Sequence, residues 1–306
     1  MQDVEAAIAY RGWVAESHHR ARVVVTAPDG NIRLALGDME PPTLPRSALK
    51  PFQVIAMLRN GLDLEGELLA LAGASHWGEP FHLDGARAIL AGVGLNESNL
   101  VNTPDIPLDE DVRFDWIRSG HGKEPVAHNC SGKHSAMLRT CVRAGWPTDG
   151  YRDPSHPLQL AIRAVIDEYC GVIGEPVTDG CSAPAFSCTL DGLARGFGAW
   201  ALAQGEEERR IHAAYHSHAP YMSGSADRTV LFVEQIDGLV MKVGAEGILA
   251  AALPDGTGVA VKMSDGMGRG RFDVMAAVLG SLGHTVEGLT PEVVIAPELS
   301  DALASL

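Results

Sequence analysis

Lysine is scarce in this chain: five of the 24 lysine and arginine residues are lysines, at positions 50, 123, 133, 242 and 262. Arginine stays protonated in proteins, whereas a buried lysine amine can become neutral and act as a base or a ligand. A chain that otherwise uses arginine is therefore expected to keep lysine for amine chemistry. Lys50, Lys133 and Lys262 stand near hydroxyls, thiols or carboxylates in the sequence, which makes these three the first candidates.

Basic residues as a class are also outnumbered, since the formal net charge is −15 and the isoelectric point is near 5.2. Nucleic acids and anionic lipid surfaces need basic patches, so neither is expected as a partner. No apolar run reaches membrane-spanning length, and the acidic start Met1-Gln2-Asp3-Val4-Glu5 lacks the apolar stretch of a secretory signal. The five cysteines favour reduced thiols over a disulfide framework. We therefore expect a cytoplasmic globular protein.

Apolar runs separated by turn residues predict β-structure at both ends of the chain. Two strands at 22–26 and 32–36 flank a Pro-Asp-Gly-Asn turn, and 238–243, 247–253 and 258–263 form an antiparallel meander. Helices are predicted at 52–59, 65–71, 83–91, 133–144, 157–169, 190–203, 206–216 and 272–282. We predict one α+β layered domain over residues 1–306, with a sheet from about 20–37 and 238–263 and a helical region at about 47–235.

Ser47 and Lys50 lie three residues apart, which brings a hydroxyl and an amine together if the segment is helical. A neutral Lys50 amine could take the Ser47 proton during attack on a carbonyl. Pro51 disfavours the α conformation at Lys50, so the pair is expected in the turn that enters the helix. About 0.3 pairs of this spacing are expected by chance, and a surface serine beside a solvated lysine is the alternative.

A small-residue turn at Gly73-Ala74-Ser75-His76 follows an apolar helix. A helix C-terminus with a hydrogen-bonded histidine explains this turn equally well. Ser75 gains chemical interest only if a distant lysine, such as Lys262, approaches it in the fold.

The densest cluster of functional side chains is His128-Asn129-Cys130-Ser131-Gly132-Lys133-His134-Ser135. Asn129 or Ser131 can cap the helix that starts near Lys133, so backbone N–H groups would face the cluster. Asp179-Gly180-Cys181 is a second polar turn with a thiol, and two thiols with nearby polar groups could bind zinc. Reduced core cysteines are the alternative. The sequence contains no H-E-x-x-H, C-x-x-C, G-x-S-x-G, P-loop or convincing dinucleotide motif.

Taken together, these segments resemble one family. The segments are Pro45-Arg46-Ser47-Ala48-Leu49-Lys50-Pro51, Ala74-Ser75-His76, residues 128–134, Asp179-Gly180-Cys181 and Lys262. They occur in the order found in rhizobial-type (class 3, thermolabile) L-asparaginases, and the resemblance spans almost the whole chain. It implies hydrolysis of L-asparagine to L-aspartate and ammonia, a homodimer, and a fold similar to serine β-lactamases, penicillin-binding proteins and glutaminases.

The same resemblance implies the site residues. It assigns Ser47 with Lys50 to a first Ser–Lys pair, and Ser75 with Lys262 to a second. It implies zinc ligation by Cys130, Lys133 and Cys181 with water, and it places His134 and Asp179 beside the metal or the substrate. Two Ser–Lys pairs already supply a nucleophile and bases, so we expect the zinc to be auxiliary rather than the activator of water.

Two departures from the expected patterns leave alternatives open. The segment from Tyr221 to Thr229 has an altered order of arginine and aspartate, which leaves the preference for asparagine over glutamine open. Lys262 is followed by Met-Ser-Asp, not by the Thr-Gly of β-lactamases, which weakens a β-lactam substrate. The alternatives are a serine hydrolase acting on glutamine, β-lactams or peptides, and a non-enzymatic metal or redox sensor built on Cys130 and Cys181.

Overall fold

The computed structural model describes residues 3–306. Predictions that involve Met1 and Gln2, the acidic start and the outer bound of the domain, lie outside the described residues. The strands are β1 (Val4–Arg11), β2 (Val14–Thr26), β3 (Ile32–Leu36), β4 (Ile173–Thr178), β5 (Pro184–Ser187), β6 (Val240–Val243), β7 (Ile248–Ala252), β8 (Gly258–Met263) and β9 (Val294–Ile295).

Most of the chain between the strands at its two ends is helical. The α-helices are α1 (Lys50–Arg59), α2 (Gly66–Ala72), α3 (Pro80–Ala91), α4 (Glu110–Arg118), α5 (Ser131–Ala144), α6 (Pro157–Cys170), α7 (Leu190–Leu202), α8 (Glu206–Ser217), α9 (Ala219–Met222), α10 (Arg228–Gln235), α11 (Arg271–Ser281) and α12 (Pro297–Leu303). Short 3-10 helices cover Arg46–Leu49 and Glu97–Asn99. No helix in residues 3–306 is both long and apolar enough to cross a membrane.

The main sheet joins the two ends of the chain, as predicted. Its order is β6-β7-β8-β2-β1-β9, with β3 also on β2, and all of its pairings are antiparallel. At thirteen residues, β2 is long enough to pair with β1 and then β3 along one side, and with β8 along the other. Val24 of β2 lies opposite Ala260 of β8, which confirms a sheet built from both chain ends.

The sheet lies between two hydrophobic cores. Successive side chains of a strand point to opposite faces, so Val24 packs in the core that contains α7, whereas Val23 and Val25 pack in the core that contains α11. A strand covered on both faces needs a continuous apolar run, and β2 supplies one. The expected α+β layered architecture is therefore confirmed.

Several elements were not predicted. β1 is rich in alanine and lacks a clear alternation, and it forms because β2 provides a hydrogen-bonding partner. The β4–β5 hairpin lies within the region that was predicted to be mostly helical. Helix α4 has no fully buried residue, although its Trp116 packs against the core and Asp109 caps its first turn.

Candidate active site

The first Ser–Lys pair lies where the 3-10 helix Arg46–Leu49 runs into α1. Lys50 has helical backbone angles despite the proline that follows it, and Pro51 occupies the first turn of α1, where its missing N–H costs no hydrogen bond. Arg46, directly before Ser47, has a left-handed φ of 53°. Such a conformation is strained for a residue other than glycine, and the ion pair of Arg46 with Asp179, at 2.5 Å, holds it.

Lys50 is buried and brings three of the predicted residues together. Its ammonium donates to Ser75 Oγ at 3.0 Å, to Cys130 Sγ at 3.1 Å and to the carbonyl oxygen of Ala74. Ser47 is only half-buried, and among the described residues its hydroxyl and the Lys50 amine are not hydrogen-bonded to each other. Hydrogen bonds of this kind are often long in a ligand-free site and tighten when the substrate binds.

The second lysine at Ser75 is Lys242, on β6. Its Nζ lies 3.1 Å from Ser75 Oγ, and only 1% of the residue is exposed. Burial, followed by the repulsion of the nearby Lys50 ammonium, lowers the pKa of Lys242 from 10.5 to about 7. These are the two physical causes that lower a lysine pKa. Ser75 Oγ therefore lies between two buried amines.

The expected pair of Ser75 with Lys262 does not form, and Lys242 takes this position. Lys262 is half-buried on β8, where its amine donates to the carbonyl oxygen of Met263 at 2.6 Å. β7 separates β8 from β6 in the sheet, so Lys262 lies two strand spacings, about 10 Å, from the strand that carries Lys242.

A sequence signal for Lys242 exists in Lys242-Val243-Gly244. A side chain at Gly244 would meet the carbonyl oxygen of Pro45 at 2.3 Å, so only glycine lets the end of β6 approach the turn that holds Ser47. In the Lys-Thr-Gly triad of β-lactamases, glycine likewise stands two residues after lysine. Lys262 does not have this spacing. Here it occurs twenty residues earlier, with valine at the middle position.

The predicted zinc ligands form a buried cluster. Lys133 Nζ lies 3.2 Å from Cys181 Sγ, and the Cys181 thiol hydrogen-bonds to the Cys130 sulfur. That hydrogen bond, with the nearby Lys50 and Lys133 ammonium groups, holds the pKa of Cys130 well below its usual value despite burial. The same hydrogen bond raises the pKa of Cys181, which supplies the proton.

The donor set fits zinc in kind and in spacing. Two donors on one tetrahedral zinc ion lie about 3.5 Å apart, close to the separation of Lys133 and Cys181, and a neutral amine and thiolates are suitable ligands. Within residues 3–306, no group of three or more His, Cys, Asp or Glu side chains could hold a metal ion. Lys133 would therefore be required as the third protein ligand.

His134 and Asp179 flank the cysteine cluster. Burial lowers the pKa of His134 to about 4, and its Nδ1 is hydrogen-bonded to the Tyr151 hydroxyl at 2.8 Å, so its ring is neutral. Burial opposes ionisation of Asp179, but Lys133 and Arg46 outweigh it and lower its pKa. The Asp179 carboxylate is thus bound to Arg46, and it joins the turn of Cys181 to the turn of Ser47.

The start of α5 differs from the capping prediction. Cys130 is the N-cap residue and makes no side-chain capping bond, while its N–H donates to His128 Nδ1 at 3.0 Å. His76, which the sequence left as an ordinary turn histidine, is fully buried and hydrogen-bonded to Ser131 Oγ at 2.8 Å. This contact joins the Ser75 turn to the first turn of α5.

Comparison with known families decides the classification. The family model described as L-asparaginase II matches residues 7–294. The chain belongs to the L-asparaginase II family. This confirms the resemblance to asparaginases and places the chain among amidohydrolases. A comparison with curated proteins finds no match.

Solved structures that resemble this family member do so at low identity. Mglu in its tris and glutamate form has a TM-score of 0.40 and 16% identity, over 94% of this chain and 65% of that one, so the chain spans about two thirds of its length. The β-lactamase Mb2281c from Mycobacterium bovis gives 0.46 and 15%, over 85% and 94% of the two chains. A probable glutaminase from Bacillus subtilis, complexed with 6-diazo-5-oxo-L-norleucine, gives 0.42 and 12%, over 91% and 90%.

In this member of the L-asparaginase II family, the arrangement provides a proton path between amines. Ser75 Oγ can accept a proton from one lysine while it gives its own to the other, because both nitrogen atoms lie within hydrogen-bond distance. The path starts at Lys50, one helical turn after Ser47, and ends at Lys242.

Proposed function

We propose that the chain hydrolyses L-asparagine to L-aspartate and ammonia through an acyl-enzyme on Ser47. The observation that supports this most is the contact of Ser75 Oγ with both Lys50 and Lys242, at 3.0 and 3.1 Å, in a chain of the L-asparaginase II family. The contact joins a neutral amine to the helical turn that carries Ser47.

The proposed reaction begins with a proton transfer. Neutral Lys242 takes the Ser75 proton while Ser75 takes one from Lys50, which leaves Lys50 neutral and Lys242 charged. Lys50 then accepts the Ser47 proton as Ser47 Oγ attacks the carboxamide carbon. The C–N bond breaks as the leaving nitrogen receives a proton, and ammonia departs. Water attacks the resulting ester and restores Ser47.

The assignment of the nucleophile to Ser47 is supported by its backbone rather than by a hydrogen bond. Ser47 follows the strained Arg46 in the first turn of the 3-10 helix Arg46–Leu49, and negative charge is stabilised at the N-terminus of a helix. Ser75, by contrast, is held between two amines, which suits a relay. Mass spectrometry after reaction with the diazoketone analogue of asparagine separates the two roles: we expect the label on Ser47, and a label on Ser75 would reverse them.

Zinc is proposed as an auxiliary group held by Cys130, Lys133 and Cys181. When bound, it would supply a positive charge that anchors a polar group of the substrate. The residues of the chain provide the nucleophile and the bases without it. Cytoplasmic location and a homodimer remain predictions, and size-exclusion chromatography with light scattering tests the homodimer.

The decisive experiment is kcat/KM for ammonia release from asparagine and from glutamine, with nitrocefin hydrolysis alongside. We expect asparagine to be preferred, because one extra methylene displaces the carboxamide by about a bond length and a 1 Å misplacement can cost about a hundredfold. Equal or faster hydrolysis of glutamine would overturn the specificity. Absence of turnover with every amide, together with a zinc-dependent conformational change, would favour the alternative of a non-enzymatic metal or redox sensor.

A further inference from the structure

A cavity of about 460 Å³ lies between the starts of α10 and α11, next to the candidate active site. Its wall includes Trp77, Asp227, Arg228, Arg271, Phe272 and Glu292. Two of its lining residues are connected to the site of Lys50 and Lys242. Trp77 follows Ser75 by two residues, and Arg271 Nη1 donates to the carbonyl oxygen of Gly244, two residues after Lys242, at 3.2 Å. We call it the Arg271 cavity.

Arg271 is a half-buried cation with unused donors. Its guanidinium lies 5.3 Å from the centre of the Phe272 ring, and its Nε is buried without a hydrogen-bond partner among residues 3–306. Within the same residues it has no carboxylate within 4.0 Å, whereas its neighbour Arg228 is paired with Glu292 at 3.0 Å. A guanidinium fixed by stacking and one backbone contact presents a planar fork that suits a carboxylate.

Asp227 places a negative charge on the same cavity. One of its carboxylate oxygens accepts from the N–H of Thr229 at 2.7 Å and caps α10, which fixes the side chain. Its charge raises the pKa of both Arg271 and Lys242, opposing the effect of burial on each, so the three groups lie near one another. In the segment whose order of aspartate and arginine is altered, Arg228 is thus paired with Glu292, while Asp227 acts on Arg271 and Lys242.

We propose that the Arg271 cavity binds the charged end of the amino-acid substrate, with Arg271 on the α-carboxylate and Asp227 on the α-ammonium. This rests on the proposed function and names the groups that position its substrate. The resemblance placed Asp179 beside the metal or the substrate, but that carboxylate is engaged by Arg46 at 2.5 Å. The cap uses only Oδ1 of Asp227. Arg271 contacts Gly244, and Gly244 in turn lies against Pro45 in the turn that holds Ser47.

The size of the cavity agrees with this occupant. Pockets for small molecules run from about 300 to 1,000 Å³ and combine apolar walls with a few placed polar groups. Trp77 and Phe272 supply the apolar walls. The charged groups of the lining are Asp227, Glu292, Arg228, Arg269 and Arg271, of which Arg228 and Glu292 are paired with each other. Because both charged contacts fix the same end of the substrate, the length of the side chain decides where the carboxamide lies.

The test compares asparagine with 3-aminopropanamide, which keeps the amine and the carboxamide and lacks the α-carboxylate. We expect Arg271→Gln to raise KM for asparagine about 10- to 100-fold, the effect of losing a charged hydrogen bond, and to leave kcat/KM for 3-aminopropanamide nearly unchanged. Arg271→Lys should retain part of the preference for asparagine over 3-aminopropanamide. Arg118→Gln, on α4 and outside the cavity lining, removes the same charge from an exposed side chain and should change neither substrate more than threefold.

Asp227→Asn separates recognition from folding, since asparagine also caps helices. It should raise KM for asparagine while the melting temperature stays that of the wild type. An equal loss on both amides in Arg271→Gln would mean a structural role and overturn the proposal.

Calorimetry with L-aspartate distinguishes the two proposals. Aspartate binding by the wild type and not by Arg271→Gln would support the cavity even if no amide were hydrolysed, in which case the proposed function alone would fail. Equal binding by both proteins, or binding by neither, would overturn the cavity assignment.

Discussion

Lys50 and Lys242 donate to the same oxygen, Ser75 Oγ, from α1 and from β6 respectively. Two ammonium groups so close together repel each other, and burial adds to this in lowering the pKa of Lys242. The lowered pKa of Lys242 relieves this conflict, because a neutral amine can accept the Ser75 proton while Lys50 keeps its contact with Cys130. The geometry therefore distinguishes the two lysines chemically.

Replacing Lys242 with methionine is expected to lower kcat/KM for asparagine by about 10²- to 10⁴-fold, the usual contribution of a positioned base. Lys262→Met is the matched control, since Lys262 contacts the Met263 carbonyl and not Ser75. We expect it to retain activity within about threefold. Ammonia release under identical conditions measures both variants. A larger loss in Lys262→Met than in Lys242→Met would restore the pairing suggested by the sequence.

The pH profile should follow the protonation of Lys242. The proposed mechanism needs neutral Lys242, so kcat/KM is expected to rise with pH, to reach half its maximum near pH 7 and to level off above it. Asp227 raises this pKa, so Asp227→Asn should move the midpoint to lower pH. An unchanged midpoint in that variant would show that another group governs the rise.

Lys242→Met should also stabilise the fold, most strongly at low pH. A lysine with a pKa of about 7 in the folded state and about 10.5 when unfolded binds more protons unfolded between these values, so its destabilising effect is complete below pH 7. The gain should approach about 5 kcal/mol at most at pH 6 and fade as the pH rises towards 10. Urea unfolding at several pH values measures it, and a gain that does not depend on pH would contradict this cause.

Removal of zinc should raise KM for asparagine much more than it lowers kcat, because the Ser–Lys groups act without the metal. Cys181→Ser is expected to lower the zinc content of the purified protein, measured by mass spectrometry of the metal. Cys141→Ser is the control, because burial raises the pKa of that thiol to about 12. Complete loss of kcat on chelation, restored by zinc, would assign the metal a direct role in the chemistry.

Gly244→Ala should separate β6 from the turn of Ser47. The new methyl group would meet the Pro45 carbonyl at 2.3 Å, so Lys242 would shift and kcat should fall by about a hundredfold. Gly280→Ala, in α11, adds the same methyl group in open space and should stabilise the helix by about 1 kcal/mol. Comparable loss of activity in both variants would remove the special role of Gly244.

Much of the fold followed from periodicity. The three strands after residue 238 and seven helices between 50 and 217 carry apolar positions at the spacing of their element, so local sequence was sufficient to find them. β1 was missed because only its partner β2 makes its alanine-rich sequence a strand. α4 was missed because it has no fully buried residue, and only its Trp116 packs against the core, partly buried.

The sequence identified the parts of the candidate site whose residues lie close together along the chain. The turns of Ser75 and Cys130 meet at Lys50, and the turn of Cys181 contacts Cys130. Each motif alone left an ordinary alternative open, and only the family resemblance brought the turns together. Which lysine, Lys242 or Lys262, contacts Ser75 depends instead on the order of the strands in the sheet. Both lysines lie in apolar strands near a glycine or polar turn, and only the sheet shows which strand borders Ser47.

The pairing of β2 with β8 has a consequence for how the protein is made. During synthesis, Ser47, Lys50 and Ser75 emerge long before β6 and β8, so until those strands arrive one long side of β2 has no partner. Unpaired strand edges promote aggregation, and contacts so distant in sequence form slowly. The nascent chain is therefore vulnerable over most of its length, and it can gain activity only after its last third has folded onto its first strands.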